Sequence, residues 1–235
     1  MSAFHLKVVA VVTMFVDHLA AIVIAQNHEY PWFYMRHFGR VAFPVFAFLI
    51  AVGCVHSKDI KKYMLRLGCF ALISEVVYDM AFSDTVDFFD RTNIFYTLFL
   101  GVACIAVFKH VKSVFRASVF SENHWLLWVC AVLTPLPFVG AAEILSTDYA
   151  GAGVVLIYAF YVFNPNNRFR RLLVLILGMA WLYMVWMDWA IMFWFSLLSV
   201  PFVLVYNGKA GLSHRVLKWG FYVFYPVHLV VLVML

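Results

Sequence analysis

The sequence consists of apolar runs that follow one another closely, most of them long enough for a helix that crosses a membrane. The first run, residues 6–25, carries Asp17 and His18 side by side near its middle. A helix needs about 20 apolar residues to span the hydrocarbon core of a bilayer. Only 12% of the 235 residues are charged, compared with ~25% in soluble domains. We therefore interpret the chain as an integral membrane protein.

Run length and polar interruptions predict nine transmembrane helices. Their predicted ranges are 5–25, 38–56, 62–82, 93–109, 124–143, 149–163, 171–187, 189–206 and 217–235. Pro135 and Pro137 interrupt the fifth range and should break or kink it, because proline lacks the backbone N–H donor. The connectors are too short to hold a soluble domain. The sequence thus predicts one all-α domain over residues 1–235, a polytopic membrane helix bundle.

Charged residues in the connectors predict the orientation of this bundle. Acidic residues mark one set of connectors, at Glu29, Asp84, Asp87, Asp90, Asp148 and Asp188. Basic residues mark the other set and the start of the chain, at Lys7, Lys58, Lys61, Lys62, Arg66, Lys109, Lys112, Arg116, Arg168, Arg170, Arg171, Lys209, Arg215 and Lys218. By the positive-inside rule, the N-terminus is cytoplasmic and the C-terminus lies outside. Because topology explains the net charge of +5, the expected partner is the lipid bilayer and no nucleic-acid partner is expected.

Several polar side chains inside the predicted spans are not explained by topology. They are Asp17, His18, Arg40, Glu75, Asp79, Asn93, Thr97 and His228. An ionisable group in hydrocarbon costs a few kcal/mol even on lenient insertion scales, so such groups are functional candidates by default. Glu75 and Asp79 are four residues apart and share one helix face. The pair Asn93 and Thr97 has the same spacing, so each pair can face one interior cavity.

The charged members of this set also have a structural interpretation. Asp17 and Arg40 can form a buried ion pair that only fixes helix packing, and His18 can be a hydrogen-bonded packing residue. Glu75 and Asp79 are harder to explain in this way, because two carboxylates on one face repel each other. A cation, a proton or a substrate amine must then lie near, and Arg40 can be that cation.

The uncharged members are open to either interpretation. Asn93 and Thr97 can hold helices together by hydrogen bonds, and His228 can be a satisfied histidine of the last helix. Imidazole and carboxylate groups at one depth are also zinc ligands, but without an H-E-x-x-H motif we predict no metal site. A proton-coupled transporter of small solutes is a stronger alternative, because acidic and histidine relays are its usual equipment.

Five segments resemble, in order, successive segments of the TraX family of membrane acetyltransferases. They are LKVVAVVTMFVDHLAAI, FGRVAFPVFAFLIAVG, YMLRLGCFALISEVVYDMAF, NIFYTLFLG and FYVFYPVHLVVL. The combination of the DH, GR-x-AFP-x-FAF and SE-x-x-x-D elements is specific, and the resemblance covers most of the chain. It implies an acetyltransferase of the bacterial cytoplasmic (inner) membrane that uses acetyl-CoA. In the founding member of the family, the acceptor is the N-terminal amine of a conjugative pilin.

The resemblance suggests roles for the polar residues in acetyl transfer. This reaction needs a base for the acceptor proton and a donor that stabilises the oxyanion. His18 would be the base, with Asp17 or Glu75 holding its tautomer, and Arg40 would stabilise negative charge. Glu75 with Asp79 would receive a cationic amine. The further substrate-binding candidates are Asn93, Thr97 and His228.

Acetyl-CoA is the implied acyl donor, and its phosphates favour the basic cytoplasmic face. The candidate contacts are Lys58, Lys61, Lys62 and Arg66, with residues 168–171 as the alternative. The donor is expected to thread inward from the cytoplasm and to meet an acceptor that arrives from outside. That acceptor would be a protein such as pilin, or a cell-surface glycan. A non-catalytic membrane assembly factor is the remaining alternative to the enzyme and the transporter.

Overall fold

The computed structural model describes residues 1–24, 31–83, 91–118, 122–163, 166–186 and 190–235, and these residues form helices and short connectors without a strand. The α-helices are α1 Ala3–Leu19, α2 Pro31–Gly39, α3 Ala42–His56, α4 Ile60–Phe82, α5 Ile94–Ala117, α6 His124–Leu133, α7 Leu136–Ile144, α8 Ala150–Val162, α9 Arg168–Ala180, α10 Ala190–Ser196, α11 Val200–Leu204 and α12 Arg215–Val233. Two π-helical segments, Ala20–Ile24 and Trp181–Trp186, extend α1 and α9, and a 3₁₀ turn, Leu197–Ser199, joins α10 to α11. The all-α prediction holds for this part of the chain.

Helical segments overlap every predicted span, but two of the spans are interrupted where proline removes a donor. The range 38–56 breaks at residues 40 and 41, between α2 and α3. Pro44 explains this break, because it lacks the N–H that would bond to the Arg40 carbonyl in a continuous helix. The predicted interruption by Pro135 is confirmed, since it lies between α6 and α7.

Five helical stretches are long and apolar enough to cross a membrane. They are Ala3–Ile24, Pro31–His56, Ile94–Ala117, His124–Ile144 and Arg215–Val233. Two shorter apolar stretches are Ala150–Val162 and Ile191–Leu204. Large apolar side chains such as Leu72, Trp125 and Val132 are exposed on the outside of the bundle, as expected of a surface that contacts lipid. The chain is therefore a membrane protein with several transmembrane helices.

Helix α8 packs between α3 and α5 at the centre of the bundle. Small residues allow this close approach: a Cβ atom on Gly101 would lie 2.8 Å from Ile157, and one on Gly153 would lie 2.7 Å from Thr97. On one side of this core, α1 packs against α3 and α12, and α12 packs against α4. The polar residues singled out in the sequence lie in this second group of helices, in the break between α2 and α3, and at the start of α5.

Most of the acidic connector residues lie outside the part of the chain that the structure describes. Glu29, Asp84, Asp87, Asp90 and Asp188 lie outside the described residues. Asp148 is described and lies in the short connector between α7 and α8.

Candidate functional site

A polar cavity of about 380 Å³ lies among α1, α3, α4 and the α7–α8 connector. Its charged and histidine lining residues are Asp17, His18, Arg36, Arg40, Arg91 and Asp148. Its aromatic lining residues are Phe43, Phe46, Tyr78, Phe82, Tyr149 and Tyr225. A concave space with a few convergent polar groups is the usual form of a ligand or active site. We refer to it as the polar cavity.

Two guanidinium groups hold Asp17 on one wall of the polar cavity. Arg36 Nη1 lies 2.9 Å from Asp17 Oδ2, and Arg40 Nη2 lies 3.0 Å from Oδ1 and 3.2 Å from Oδ2. Arg40 also contacts the Tyr149 hydroxyl, 3.5 Å away, and only 7% of its surface is exposed. The ion pair between Asp17 and Arg40, one of the sequence alternatives, is therefore present.

Gly39 makes room for this ion pair. A Cβ atom at position 39 would lie 2.3 Å from the Asp17 Cβ, which is closer than atoms can approach. The glycine of the GR element thus lets α1 and the α2–α3 break come close enough for Arg40 to reach Asp17. The structure gives this sequence element a steric explanation.

A second histidine, His228, is hydrogen-bonded to His18. His18 Nδ1 lies 2.7 Å from His228 Nε2, and His228 Nδ1 lies 2.8 Å from the Phe224 carbonyl oxygen. The two rings are inclined by 4°, with centroids 5.0 Å apart. Nearly parallel rings with this centroid separation and a 2.7 Å nitrogen contact lie edge to edge. The contact is thus a hydrogen bond in the plane of the rings.

The hydrogen bonds define the tautomers of the two neutral rings. A carbonyl oxygen only accepts, so His228 Nδ1 carries the proton and His228 Nε2 is an acceptor. His18 Nδ1 must then donate to it, which leaves His18 Nε2 with a lone pair. His18 is half-buried and lines the polar cavity. It therefore has the protonation pattern of a general base.

This arrangement differs from the one expected for His18. We expected Asp17 or Glu75 to hold its tautomer, but Asp17 pairs with Arg36 and Arg40 instead. The partner is His228, 210 residues away in sequence. His228 is one of the substrate-binding candidates, and that role stays a prediction; in the structure it is the hydrogen-bond partner of His18.

Glu75 and Asn93 form a separate polar cluster between α4 and the start of α5. Glu75 Oε2 accepts a hydrogen bond from the backbone N–H of Asn93, 3.1 Å away, and a further one from Asn93 Nδ2. Asn93 Nδ2 also donates to the Ala71 carbonyl oxygen at 2.8 Å, and Asn93 Oδ1 accepts from Phe95 N–H at 3.0 Å. Asn93 is thus the N-cap of α5, with Glu75 holding it in place.

Asp79 and Thr97 also lie away from the polar cavity lining. Asp79 is on the same face of α4 as Glu75 and is 1% exposed. Thr97 packs its methyl group against Gly153 of α8. The expected cation for the two carboxylates, Arg40, is bound to Asp17 instead. The substrate-binding roles of Asp79, Asn93 and Thr97 and the catalytic role of Glu75 therefore stay predictions without a contact to the polar cavity.

A second cavity, of about 830 Å³, adjoins the polar cavity. Its basic lining residues are Lys7, His56, Arg66, Arg215 and Lys218. Its largest apolar lining residues are Phe46, Leu49, Ile50, Leu67, Phe95, Leu98, Trp219, Phe221 and Tyr222. We call it the long cavity. Of the residues predicted to bind CoA, Arg66 lines it, whereas Lys58, Lys61 and Lys62 do not.

The polar cavity is completed by residues that were not predicted from the sequence. Arg91 and Asp148 lie in connectors, where charge is readily assigned to topology, although Asp148 was noted there for its charge alone. Arg36 precedes Arg40 by four residues, a spacing that places both on one helix face and could have indicated a shared partner. Tyr149 follows Asp148 directly, and no local signal marks it as part of a site.

Asp148 is the carboxyl group of the cavity that lies outside the transmembrane helices. Partial removal from water among the cavity residues raises the pKa of this carboxyl to about 6, although the guanidinium of Arg40 opposes the shift. Asp148 is therefore partly protonated just below neutral pH. No cluster of three histidine, cysteine, aspartate or glutamate side chains suited to a metal ion occurs among the described residues.

These features define a polytopic helical membrane protein with a polar cavity among its helices. The family model for "TraX protein" matches residues 2–235, so the chain belongs to the TraX family, and the resemblance found in the sequence is confirmed. A curated relative is the probable fimbrial assembly protein FimC of serogroup H1 from Dichelobacter nodosus. It is 26% identical over an alignment 249 residues long, and this alignment covers 98% of this chain and 94% of the relative. No solved structure matches the chain.

Proposed function

We propose that this protein transfers an acetyl group from acetyl-CoA to an amine or hydroxyl group of an acceptor at its polar cavity. The observation that carries the proposal is His18, whose Nδ1 hydrogen bond to His228 leaves Nε2 available as a base in that cavity. Membership of the TraX family supports acetyl transfer. The name of the Dichelobacter relative favours a pilin as the acceptor, and a cell-surface glycan remains the other acceptor class.

The proposal includes the topology predicted from charge. The chain crosses a bacterial cytoplasmic membrane nine times as one domain, with its N-terminus in the cytoplasm. The basic residues of the long cavity, among them Lys7 and Lys218, then face the compartment that contains acetyl-CoA. The acceptor reaches the polar cavity from the opposite side. An accessibility-labelling experiment on single cysteines at positions 3 and 235 tests this topology, because nine spans place the two ends of the chain on opposite sides of the membrane.

The reaction proceeds by direct transfer. His18 Nε2 accepts the proton of the acceptor amine or hydroxyl as the acceptor nitrogen or oxygen attacks the thioester carbonyl carbon. A bond from the acceptor to this carbon forms, and the carbonyl oxygen becomes an oxyanion. The carbon–sulfur bond then breaks, and the proton on His18 passes to the departing sulfur. The products are the acetylated acceptor and the free thiol of CoA.

The charged residues around His18 stabilise this sequence of steps. Three guanidinium groups, from Arg36, Arg40 and Arg91, face the carboxylates of Asp17 and Asp148 in the polar cavity. The excess of positive charge favours the oxyanion. When His18 gains a proton on Nε2, its Nδ1–H bond to His228 becomes charge-assisted and therefore stronger. His228 is thus a positioning residue for the base.

The name of the relative also supports a second candidate, a non-catalytic assembly factor. The two candidates are separated by incubating the purified protein in lipid nanodiscs with acetyl-labelled acetyl-CoA. The acceptors are peptides with free N-terminal amines, the same peptides with blocked amines, and oligosaccharides. We expect label on one acceptor class and none on the blocked peptides. Folded protein that binds CoA but labels no acceptor in pilin, peptide or glycan form would favour the assembly factor.

A further inference from the structure

We propose that the long cavity is the binding site for the acyl donor and that four cations at its exposed end bind the phosphate groups of CoA. These cations are Lys7, Arg66, Arg215 and Lys218, and we call them the basic portal. The inference rests on the proposed function for the identity of the donor. It replaces the cluster of Lys58, Lys61 and Lys62 as the phosphate site.

The basic portal brings together like charges from three helices, α1, α4 and α12. Lys7 and Lys218 lie close enough to repel each other. The ion pairs among the described residues join Asp17 to Arg36 and Arg40, and Asp59 to Lys62, and none includes a portal residue. Clustered cations without a carboxylate partner are stabilised by a bound anion, and phosphate groups fit lysine and arginine well.

Aromatic rings hold part of the portal in place. The Lys7 ammonium lies 5.5 Å from the centre of the Phe221 ring, and the Arg66 guanidinium lies 5.7 Å from that of Tyr63. Such cation–π contacts fix the positions of the cations without neutralising them. The portal therefore keeps its charge available for a ligand.

The interior of the long cavity is lined mainly by apolar and aromatic side chains, which can pack against the methyl and methylene groups of the pantetheine arm. Its volume of about 830 Å³ lies within the ~300–1,000 Å³ typical of ligand pockets. At its inner end, four of its lining residues also line the polar cavity: Met14, Phe46, Ile94 and Tyr225. A ligand that enters at the portal can thus present its far end to His18.

The length of α1 matches the reach of the donor. Lys7 and His18 are both on this helix, 11 residues apart in sequence, which corresponds to roughly 16 Å at 1.5 Å per residue. The arm of CoA between its pyrophosphate and its sulfur has about the length of four extended residues, roughly 15 Å. Phosphates at Lys7 therefore place the thioester near His18.

Direct binding of CoA tests this inference without needing an acceptor. The triple variant Lys7→Gln, Arg215→Gln, Lys218→Gln is compared with the wild type in nanodiscs of zwitterionic lipid, by equilibrium dialysis of labelled CoA. We expect the affinity of the triple variant for CoA to fall at least 10-fold. Pantetheine, which lacks phosphates, should bind both proteins equally and weakly.

The matched control is the triple variant Lys58→Gln, Lys61→Gln, Lys62→Gln, which removes the same charge from residues that do not line the long cavity. We expect its CoA affinity to stay within twofold of wild type. Equal losses in both triple variants would mean a general charge effect and overturn the inference, as would unchanged CoA affinity in the portal variant. Melting temperature and size-exclusion profile confirm that each variant is folded.

Further outcomes distinguish a CoA site from a site for phospholipid headgroups. They also distinguish a failure of the basic portal from a failure of the proposed acetyl transfer. If the wild type binds anionic phospholipid at the portal but not CoA, the site is a lipid headgroup site and the inference is wrong. If CoA binds through the portal but no acceptor is labelled, the proposed acetyl transfer fails while the anion site stands. If label is transferred but the portal variant keeps its wild-type KM for acetyl-CoA, only the portal is wrong.

Discussion

Two polar clusters lie in the same group of helices, and they differ in what their atoms contact. In the first cluster, His18, Asp17 and Arg40 line a cavity and His228 is hydrogen-bonded to His18, whereas Glu75 and Asn93 are fully buried against each other. In the first cluster, an imidazole nitrogen remains available for a ligand. In the second, the Glu75 oxygen that has partners binds Asn93, and Asn93 in turn caps α5. Both clusters contain a carboxylate on a helix, so access to the cavity distinguishes a site from a structural cluster.

The largest effect on stability should come from the ion pair beside His18. Asp17→Asn leaves the guanidinium groups of Arg36 and Arg40 without their carboxylate, and breaking a buried pair typically costs ~3–5 kcal/mol. We expect a strong decrease in the free energy of unfolding, measured in detergent. The control is Asp59→Asn, which removes an exposed pair with Lys62 but retains an N-cap residue, and should change stability by less than ~1 kcal/mol. Similar effects of the two variants would contradict the assignment.

Glu75→Ala should change stability and leave acetyl transfer intact. The variant leaves the donors of Asn93 without their acceptor, which costs about 1–3 kcal/mol. Glu75→Gln is the matched control, because its amide oxygen can still accept from Asn93. We expect nearly wild-type stability and kcat for the Gln variant, measured by thermal unfolding and labelled-acetyl transfer. A large loss of kcat in a stable Glu75→Gln protein would return Glu75 to the catalytic group.

His228→Phe should slow transfer by about 10-fold, the equivalent of one lost hydrogen bond of roughly 1.4 kcal/mol. Phenylalanine keeps the ring but cannot accept the His18 Nδ1 proton. The Gln variant, which offers an oxygen acceptor, should recover part of the rate. The KM for acetyl-CoA should stay constant in both variants. An unchanged kcat in His228→Phe would show that the histidine pair does not position the base.

The effect of Asp148→Asn on stability should depend on pH. The pKa of Asp148 is raised to about 6 in the folded protein, compared with ~3.9 for an unfolded aspartate. The neutral form therefore favours folding below about pH 4, and this contribution is lost as the pH rises to about 6. The Asn variant, which cannot ionise, should gain stability over wild type between these values and keep that advantage at pH 7. Melting curves at pH 4.5 and 7 check the sign.

The sequence allowed the helices and some of the polar cavity residues to be predicted, because both depend on local composition. Nine apolar runs each overlap helical segments, and Asp17, His18 and Arg40 all line one cavity. The break at residues 40 and 41 was missed, although Pro44 carries a local signal for it. The partner of His18 could not be predicted, since His228 is 210 residues distant and the contact depends on how α1 packs against α12.

The sequence also could not separate the two polar clusters. Glu75 and Asp79 share a face of α4, but periodicity does not tell whether that face meets a cavity or another helix. The basic residues pose the same difficulty, because Lys58, Lys61 and Lys62 satisfy the positive-inside rule as well as Lys7 and Lys218 do. Only the packing of α1, α4 and α12 brings the portal cations together at one cavity.

The central claim is that His18 is the base for acetyl transfer at the polar cavity. The most direct test compares single-turnover transfer of labelled acetyl by wild type and His18→Ala, with CoA binding measured on the same samples. Loss of a general base typically slows a reaction by 10²–10⁴-fold. We predict a loss of this size with CoA affinity within twofold of wild type. Full transfer by a folded His18→Ala protein would contradict the claim.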